Sequence, residues 1–247
     1  MTNTPSTVYD PSEYPPFAVT VDVAVFTMVE GRLHVLLVKR AGEPFAGAWA
    51  LPGGFKLPDE TLDQAANREL REETAVDGAS LLRQFGAYGD PGRDPRMNVV
   101  TVAYLAVVRD LVGVAAGSDA AAANLHPVDQ VVSGRLPLAF DHRRILRDAL
   151  ERIGHDLETT GLAAAFVGPT FTLTELREVF EAVWQVRLDG ANFRRKLSTA
   201  DGWLVPTGRR VRPGAEGGKP AELFKAGKAW RSAGPMRRPQ AAKEERR

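Results

Sequence analysis

The first 110 residues alternate between β-rich runs and one amphipathic helix. Residues 17–29 are rich in Val, Phe and Thr and predict a strand, which a turn at Glu30-Gly31 connects to a second strand over 32–39. Two more strands are predicted over 82–88 and 99–108, on either side of the loop sequence GDPGRDP. Such hairpin-like runs predict a sheet that needs helices to cover its faces.

Two helical patterns complete this part of the chain. Thr61 and Gln64 form a capping box for a helix to residue 73, whose apolar residues recur with helical spacing. Asp141 can cap a second helix that runs to about residue 153 and has an apolar stripe. Strands and helices together predict a layered α/β or α+β domain of roughly 150 residues, and we expect the α+β class.

The pattern changes beyond a junction near residues 155–169. Thr172 and Thr174 can each cap a helix whose buried face includes Phe180, and Asp189 can cap a second helix over 190–199. Two short strands follow, and they predict a small hairpin over 203–206 and 221–224. We expect residues 1–16 to be a flexible lead and residues 228–247 to be a disordered basic tail.

Composition narrows the chemistry. The 247 residues include no cysteine, which excludes disulfides and thiol catalysis, and the four histidines lack metal-ligand spacing. The N-terminus lacks the basic and apolar regions of a signal peptide, which favours a cytoplasmic protein. Residues 1–160 have 15 basic and 22 acidic side chains (net −7), whereas residues 161–247 have 17 and 9 (net +8). This asymmetry indicates that the second half meets a polyanion, although a solvated basic surface is the alternative.

One helical face concentrates negative charge. Glu69, Glu72 and Glu73 are spaced i, i+3 and i+4, so their carboxylates share a face that Mg²⁺ or Mn²⁺ could neutralise. From the helix alone, a solvated acidic surface paired with Arg68 and Arg71 is the favoured interpretation. The surrounding sequence, GFKLPDETLDQAANRELREETAV, reverses that preference because it resembles the Nudix box.

The resemblance to the Nudix box covers eight positions, and the departure is Ala75 where the family pattern has Gly. It implies an α/β/α sandwich with a mixed sheet and metal-assisted hydrolysis of a nucleoside diphosphate derivative. The implied catalytic and metal-binding residues are Glu69, Glu72 and Glu73, with Arg68 orienting a neighbouring glutamate. Ala75 puts the loop geometry, and therefore efficient turnover, in doubt.

The flanks LLVKRAGEPFAGAWALPGGF, DPGRDPRMNVVTVAYLAVV and LAFDHRRIL are similar to ADP-ribose pyrophosphatase-like Nudix domains. This implies a ligand-binding site for ADP-ribose or a related nucleotide, formed by Arg40, Trp49, Gly53, Gly54 and Phe55. Arg40 is expected to contact phosphate and Trp49 the base. A surface cation and a core aromatic are the alternatives for these two residues.

The second half contains a candidate DNA reader. On the helix over 190–199, Asn192 and Arg195 face away from the apolar side, and basic residues flank them. Two helices, a short turn and a basic hairpin resemble a winged helix-turn-helix domain. The predicted DNA-binding residues are Thr172, Thr174, Asn192, Arg194, Arg195, Lys196, Arg209, Arg212 and Lys219. A dimerisation or packing appendage is the alternative.

The combination of both halves resembles the Nudix-related transcriptional regulators of NAD metabolism, the NrtR family. It implies a ligand-sensing domain over 17–154 and a DNA-binding domain over 155–227. It also implies a homodimer that binds a palindromic operator in double-stranded DNA, with an ADP-ribose-like effector, and that associates with the nucleoid when bound. The alternative is a Mg²⁺-dependent pyrophosphohydrolase of ADP-ribose or NAD-type substrates with an accessory C-terminal domain.

Overall fold

The computed structural model describes residues 10–74, 78–109, 111, 120–212, 220–231 and 236–239. Its strands are β1 Ala18–Val29, β2 Arg32–Arg40, β3 Trp49–Ala50, β4 Gly53–Phe55, β5 Leu81–Tyr88, β6 Val99–Val107, β7 Ala120–Pro127, β8 Leu204–Val211 and β9 Ala221–Ala226. Its helices are α1 Leu62–Thr74, α2 Val128–Val132, α3 His142–Thr159, α4 Ala163–Phe166, α5 Leu173–Trp184 and α6 Gly190–Thr199, with short 3₁₀ turns at Pro11–Glu13 and Lys228–Arg231. No helix among these residues is both long and apolar enough to span a bilayer.

A seven-stranded mixed sheet organises the first half. β1 pairs in parallel with β6 and antiparallel with β2 and β4, whereas β5 extends β6 and β7 extends β2. Residues 23–26 of β1 are completely buried because both faces of the sheet are covered. The predicted α+β class with a mixed sheet is confirmed.

The two faces of the sheet have different coverings. Val21, Val23 and Val25 pack with Ala66 and Leu70 of α1 on one face. Ala24 and Phe26 belong to a second cluster on the opposite face, which α3 covers through buried residues including Ile145, Leu146 and Ala149. That second cluster continues into α5, α6 and the residues around them, so both halves of the chain share one apolar core.

The structure differs from the sequence prediction at α3. The predicted end at residue 153 and the predicted domain boundary between residues 154 and 155 both fall inside one continuous helix, His142–Thr159. Asp156, buried in the fourth turn, binds Arg152 on the same helix and Arg83 of β5. The pair with Arg83 fixes the last turns of α3 against the sheet, and the pair with Arg152 supports the helix past the predicted boundary.

The C-terminal region also differs from its prediction. Within the tail expected to be disordered, Lys228–Arg231 forms a 3₁₀ turn, and Met236 is 5% exposed within the shared core. Arg238 donates a hydrogen bond to the carbonyl of Trp184, at 3.4 Å. Apolar burial and this bond therefore hold residues 236–239 in place. The remaining residues of the predicted tail, and residues 1–9 of the predicted lead, lie outside the described residues.

The second half is a helix-turn-helix followed by a two-stranded hairpin. α5 packs against α3, α4 and α6, and strands β8 and β9 pair antiparallel. Phe171, just before α5, exchanges two backbone hydrogen bonds with Phe224 of β9, so the hairpin is tied to the start of the first helix. The predicted winged-helix arrangement is confirmed.

Thr172 begins α5 through a complete capping box. Its hydroxyl accepts from the backbone N–H of Glu175 at 3.2 Å, and the carboxylate of Glu175 accepts from the backbone N–H of Thr172 at 2.7 Å. Thr172 is buried, whereas Thr174 in the first turn is exposed. Of the two candidates, Thr172 is therefore the residue that caps α5.

We expect Thr172→Ala to lower the free energy of unfolding by about 1 kcal/mol, because the backbone N–H of Glu175 loses the hydroxyl that accepts from it. Urea denaturation followed by circular dichroism measures this loss. Thr174→Ala is the matched control and is expected to leave stability unchanged. Equal stability of the two variants would contradict the capping role.

Candidate functional site

A cavity of about 440 Å³ opens where the sheet meets the first turn of α3. Its wall includes four of the predicted ligand-binding residues, namely Arg40, Gly53, Gly54 and Phe55. It also includes residues that the sequence analysis did not select, among them Asp22, Arg93, Asp94, Arg96, Phe140 and His142. All of these except Asp22 lie in the two flanking segments that resemble ADP-ribose pyrophosphatase-like domains, but the sequence did not single out the individual residues.

Cations and aromatic rings alternate along this wall. The guanidinium of Arg40 lies 4.9 Å from the ring centroid of Phe140, and that of Arg96 lies 5.7 Å from Phe55 and 5.9 Å from Phe140. Burial and the nearby charge of Arg96 lower the pKa of Arg40. Two cations held this close to each other favour an anionic ligand between them.

Trp49 is not among the residues that line the cavity, so the structure does not place it with the other four predicted ligand-binding residues. It pairs with Lys39 across the strands, and its half-buried ring packs edge-on against His126, with centroids 4.5 Å apart. The alternation of side chains along a strand directs Trp49 into the core cluster on the α3 face. Aromatic contacts in the cavity fall instead to Phe55 and Phe140.

The base of the cavity is a buried ionic network. Arg93, 5% exposed at its side chain, donates to both oxygens of Asp141 at 2.7 and 3.1 Å and lies 3.4 Å from Asp22. His142 accepts the backbone N–H of Leu51 at Nδ1, 2.9 Å away, so its proton is on Nε2, which faces Asp22 at 3.4 Å. Complete burial lowers the pKa of His142 and keeps the imidazole neutral.

The acidic helix is organised around Arg68. Its guanidinium donates to Glu60, Glu69 and Glu72 at 2.6, 2.7 and 3.1 Å, and to the carbonyl of Phe55. The bonds from Arg68, helped by the backbone N–H of Leu57, lower the pKa of Glu60 to about 2. Burial raises the pKa of Glu69 despite the same partner.

Glycines 53 and 54 fit closely against these carboxylates. Gly53 donates its N–H to Glu73 at 2.9 Å, and a Cβ on Gly54 would collide with the carboxylate of Glu69. The donor set therefore has the chemistry of a hard-cation site and the backbone space that such a site needs. Among the described residues, however, no three acidic or histidine side chains converge as a metal cluster. Ala75 and Val76 of the box lie outside the described residues.

The outer face of α6 is polar and basic. Asp189 caps the helix by accepting from the N–H of Asn192 at 2.7 Å, and Phe193 and Leu197 are buried beneath it. On the opposite side, Arg195 donates to the side chain of Asn192 at 2.8 Å. The predicted pair therefore shares one exposed patch.

The same surface continues onto the hairpin. Thr174, Arg194 and Ser198 line a groove together with Arg210 of β8. Arg194 also lines a neighbouring depression with Arg195. Helix α6 and the hairpin therefore present cations to a common groove, as a duplex requires.

The remaining predicted contacts have separate outcomes. Lys196, Arg209 and Arg212 are exposed and available to phosphate. Thr172 is mostly buried and its hydroxyl serves the α5 cap, but the residue also lines the groove of Arg194 and Arg210, so its DNA contact stays a prediction. Lys219 lies outside the described residues.

Arg177 of α5 is a further cation at this surface that the sequence analysis missed. It lines the depression beside Arg194 and Arg195, and its guanidinium occupies the space where a Cβ on Gly190 would be. Gly190 is the first residue of α6, so this absence of a side chain lets the two helices approach. In the sequence, the glycine directly after the Asp189 cap was the one feature that could have indicated this close approach of α5 to α6.

Comparison with known proteins supports two units. The profile of the NUDIX domain matches residues 16–149, and the profile described as the NrtR DNA-binding winged helix domain matches residues 163–226. The ADPR responsive transcriptional repressor NtrR of Acinetobacter baylyi is 35% identical over 191 residues, which is 76% of this chain and 75% of that protein.

Two solved structures extend the similarity. Shewanella oneidensis NrtR complexed with a 27mer DNA is 34% identical, with a TM-score of 0.70, and the match covers 84% of this chain and 93% of that one. The NUDIX domain of the same protein complexed with ADP ribose is 36% identical, with a TM-score of 0.53, over 59% of this chain and 94% of that domain. The similarity therefore includes both the cavity region and the basic surface.

Proposed function

The chain belongs to the NrtR family of Nudix-related transcriptional regulators, and we propose on that premise that it represses NAD biosynthesis or salvage genes in response to ADP-ribose. It would act in the bacterial cytoplasm, at the nucleoid. The observation that carries the proposal is the pairing of a cation-lined cavity with an exposed basic recognition helix on one continuous core.

DNA binding follows from the charges on α6 and β8. Arg195 and Asn192 would contact base edges in the major groove, because their side chains already share one exposed face. Arg194, Lys196, Arg209, Arg210 and Arg212 would neutralise phosphates. Arg195 is therefore the residue most directly tied to sequence preference.

ADP-ribose recognition follows from the cavity. Arg40 and Arg96 supply positive charge for the pyrophosphate, and Phe55 and Phe140 offer ring surfaces to the adenine. The close backbone approach at Gly53 and Gly54, where a Cβ would collide with neighbouring atoms, completes the wall. Phe140 takes the role that the sequence analysis gave to Trp49.

We expect a duplex selected from a random pool by the protein to bind far more tightly than a scrambled duplex of equal length. Fluorescence anisotropy measures both affinities, and saturating ADP-ribose is expected to change the affinity for the selected duplex. Arg195→Ala should weaken the preference for that duplex, whereas Arg209→Ala should lower both affinities and reduce the salt slope by about one. Equal, weak binding of both duplexes by the wild type would sink the proposal.

A second candidate activity is hydrolysis of ADP-ribose, which the nearly complete Nudix box favours. Mg²⁺ or Mn²⁺ held by Glu69, Glu72 and Glu73 would activate water and neutralise the pyrophosphate. Arg68 now holds Glu69 and Glu72, so a cation would have to compete with that guanidinium for their carboxylates. Slow turnover is therefore expected.

In the presence of Mg²⁺ we expect slow release of AMP from ADP-ribose, measured by chromatography over long incubation. Glu72→Gln and removal of metal by EDTA should each abolish the product, because the carboxylate and the cation act together. Glu151→Gln, an exposed change on α3, is the control and should keep the wild-type rate. Product that persists in EDTA would contradict a metal-dependent reaction.

A homodimer is the expected assembly, since a palindromic operator requires two copies of α6. Exposed apolar side chains lie together at one end of the sheet. There the backbone carbonyl of Val19 accepts a hydrogen bond from the backbone N–H of Lys56, and Ala18 of β1 pairs with Val99 of β6. Phe17, Val19, Phe55, Leu57 and Met97 are each 36–53% exposed there. A patch of this kind is typical of an association surface.

Analytical ultracentrifugation is expected to give a dimer for the wild type and a monomer for Val19→Glu, because a buried carboxylate opposes association. Val205→Glu changes another exposed valine, on strand β8 and outside this patch. It is the matched control and should stay dimeric. A dimeric Val19→Glu variant would exclude this surface as the interface.

A further inference from the structure

Helix α3 connects the ligand cavity to the DNA-binding helices. Its first residue, His142, lines the cavity, and the preceding residue, Asp141, makes no side-chain cap bond to the helix because its carboxylate is held by Arg93 in the cavity wall. Its fourth turn lies in the core of the winged-helix domain. From His142 to Gly154 the helix spans about 18 Å without a break.

The far end of this helix meets α5 through one buried side chain. Trp184 is 1% exposed, and its indole N–H donates to the carbonyl of Gly154 at 3.1 Å. The position at 154 has no side chain, and a Cβ there would already touch the indole at 3.8 Å. The tryptophan therefore packs directly on the backbone of α3.

Aromatic packing continues from Trp184 to the recognition helix. The ring of Trp184 lies 4.9 Å from that of Phe180, edge to face, and Phe180 lies 5.7 Å from Phe193 of α6 in the same manner. All three rings are almost fully buried. Packed interiors have low compressibility, so a displacement of one ring moves its neighbour.

We propose that α3 transmits ligand binding to the recognition helix, and that Trp184 is the positioning residue at which this signal enters the DNA-binding domain. The inference rests on the proposed ADP-ribose response. A ligand that shifts the first turn of α3 moves Gly154, and the indole hydrogen bond moves α5 with it. Ligand and DNA then favour different positions of one helix, which is the requirement for coupling.

A second contact joins the two domains and offers a rival route. Gly31, in the turn between β1 and β2, faces the carboxylate of Glu178 on α5, and a Cβ there would lie 3.8 Å from the carboxyl carbon. Strand β2 ends at Arg40 in the cavity, so it too connects the ligand to α5. The hydrogen-bonded, fully buried contact at Trp184 is the more direct of the two.

The test is the coupling factor, defined as the ratio of the dissociation constants for the selected duplex with and without saturating ADP-ribose. EDTA is present so that the ligand is not hydrolysed. Trp184→Phe retains a buried ring but removes the indole N–H together with part of the ring volume. We expect its separate affinities for ADP-ribose and for DNA to stay within about threefold of wild type, and its coupling factor to fall at least about threefold toward one.

Glu178→Gln is the matched control for the rival route and should keep the wild-type coupling factor. The exposed pair Glu151→Gly and Glu151→Ala tests the helix itself without touching the core. Glycine softens the middle of α3 and should lower the coupling, whereas alanine should preserve it. This pair also decides the matter if Trp184→Phe does not fold.

The possible results distinguish the role of α3 and Trp184 from the proposed ADP-ribose response on which it rests. Coupling that survives in Trp184→Phe, or in Glu151→Gly if the first variant is unfolded, overturns the role of α3. Loss of coupling in Glu178→Gln alone assigns the signal to the β1–β2 turn. A wild-type protein that binds the duplex with a coupling factor of one overturns the proposed ADP-ribose response instead.

Discussion

The parallel pairing of β1 with β6 is the constraint on which the rest of the structure depends. It places a strand that is apolar on both sides at the centre of the sheet, so both faces must be covered. One face receives α1, which brings its carboxylates beside Gly53 and Gly54. The other receives α3, and the core beneath α3 extends without interruption into the DNA-binding helices.

Local signals in the sequence were sufficient for the elements that carry chemistry. The helix of the Nudix box, the Thr172 cap and the Asp189 cap each consist of residues close together in the chain, and each formed as predicted. Strand β7 was missed because its alanine-rich sequence has low β propensity, and it exists by pairing with β2. The position of Trp49 away from the cavity was missed for a similar cause, since the face on which a strand residue lies depends on register.

The cavity shows the limit of sequence motifs more sharply. Asp22, Arg93 and His142 are separated by 49 to 120 residues along the chain, yet Asp22 lies 3.4 Å from both Arg93 and His142. Each has an unremarkable local sequence, and only the packing of α3 on the sheet brings them together. By contrast, the basic surface was largely predictable, because Asn192, Arg194 and Arg195 occupy one short helix whose buried face the sequence defines.

The docked segment around Met236 and Arg238 has a practical consequence. Its carbonyl contact at Trp184 anchors the chain beside the junction of α3 and α5, only a few residues before position 247. An affinity tag or fluorescent protein fused after residue 239 would lie close to that junction and could disturb the contact between Arg238 and Trp184. A fusion before residue 1 is not attached to this segment, so the two tagging strategies should not be treated as equivalent when the protein is produced for biophysical work.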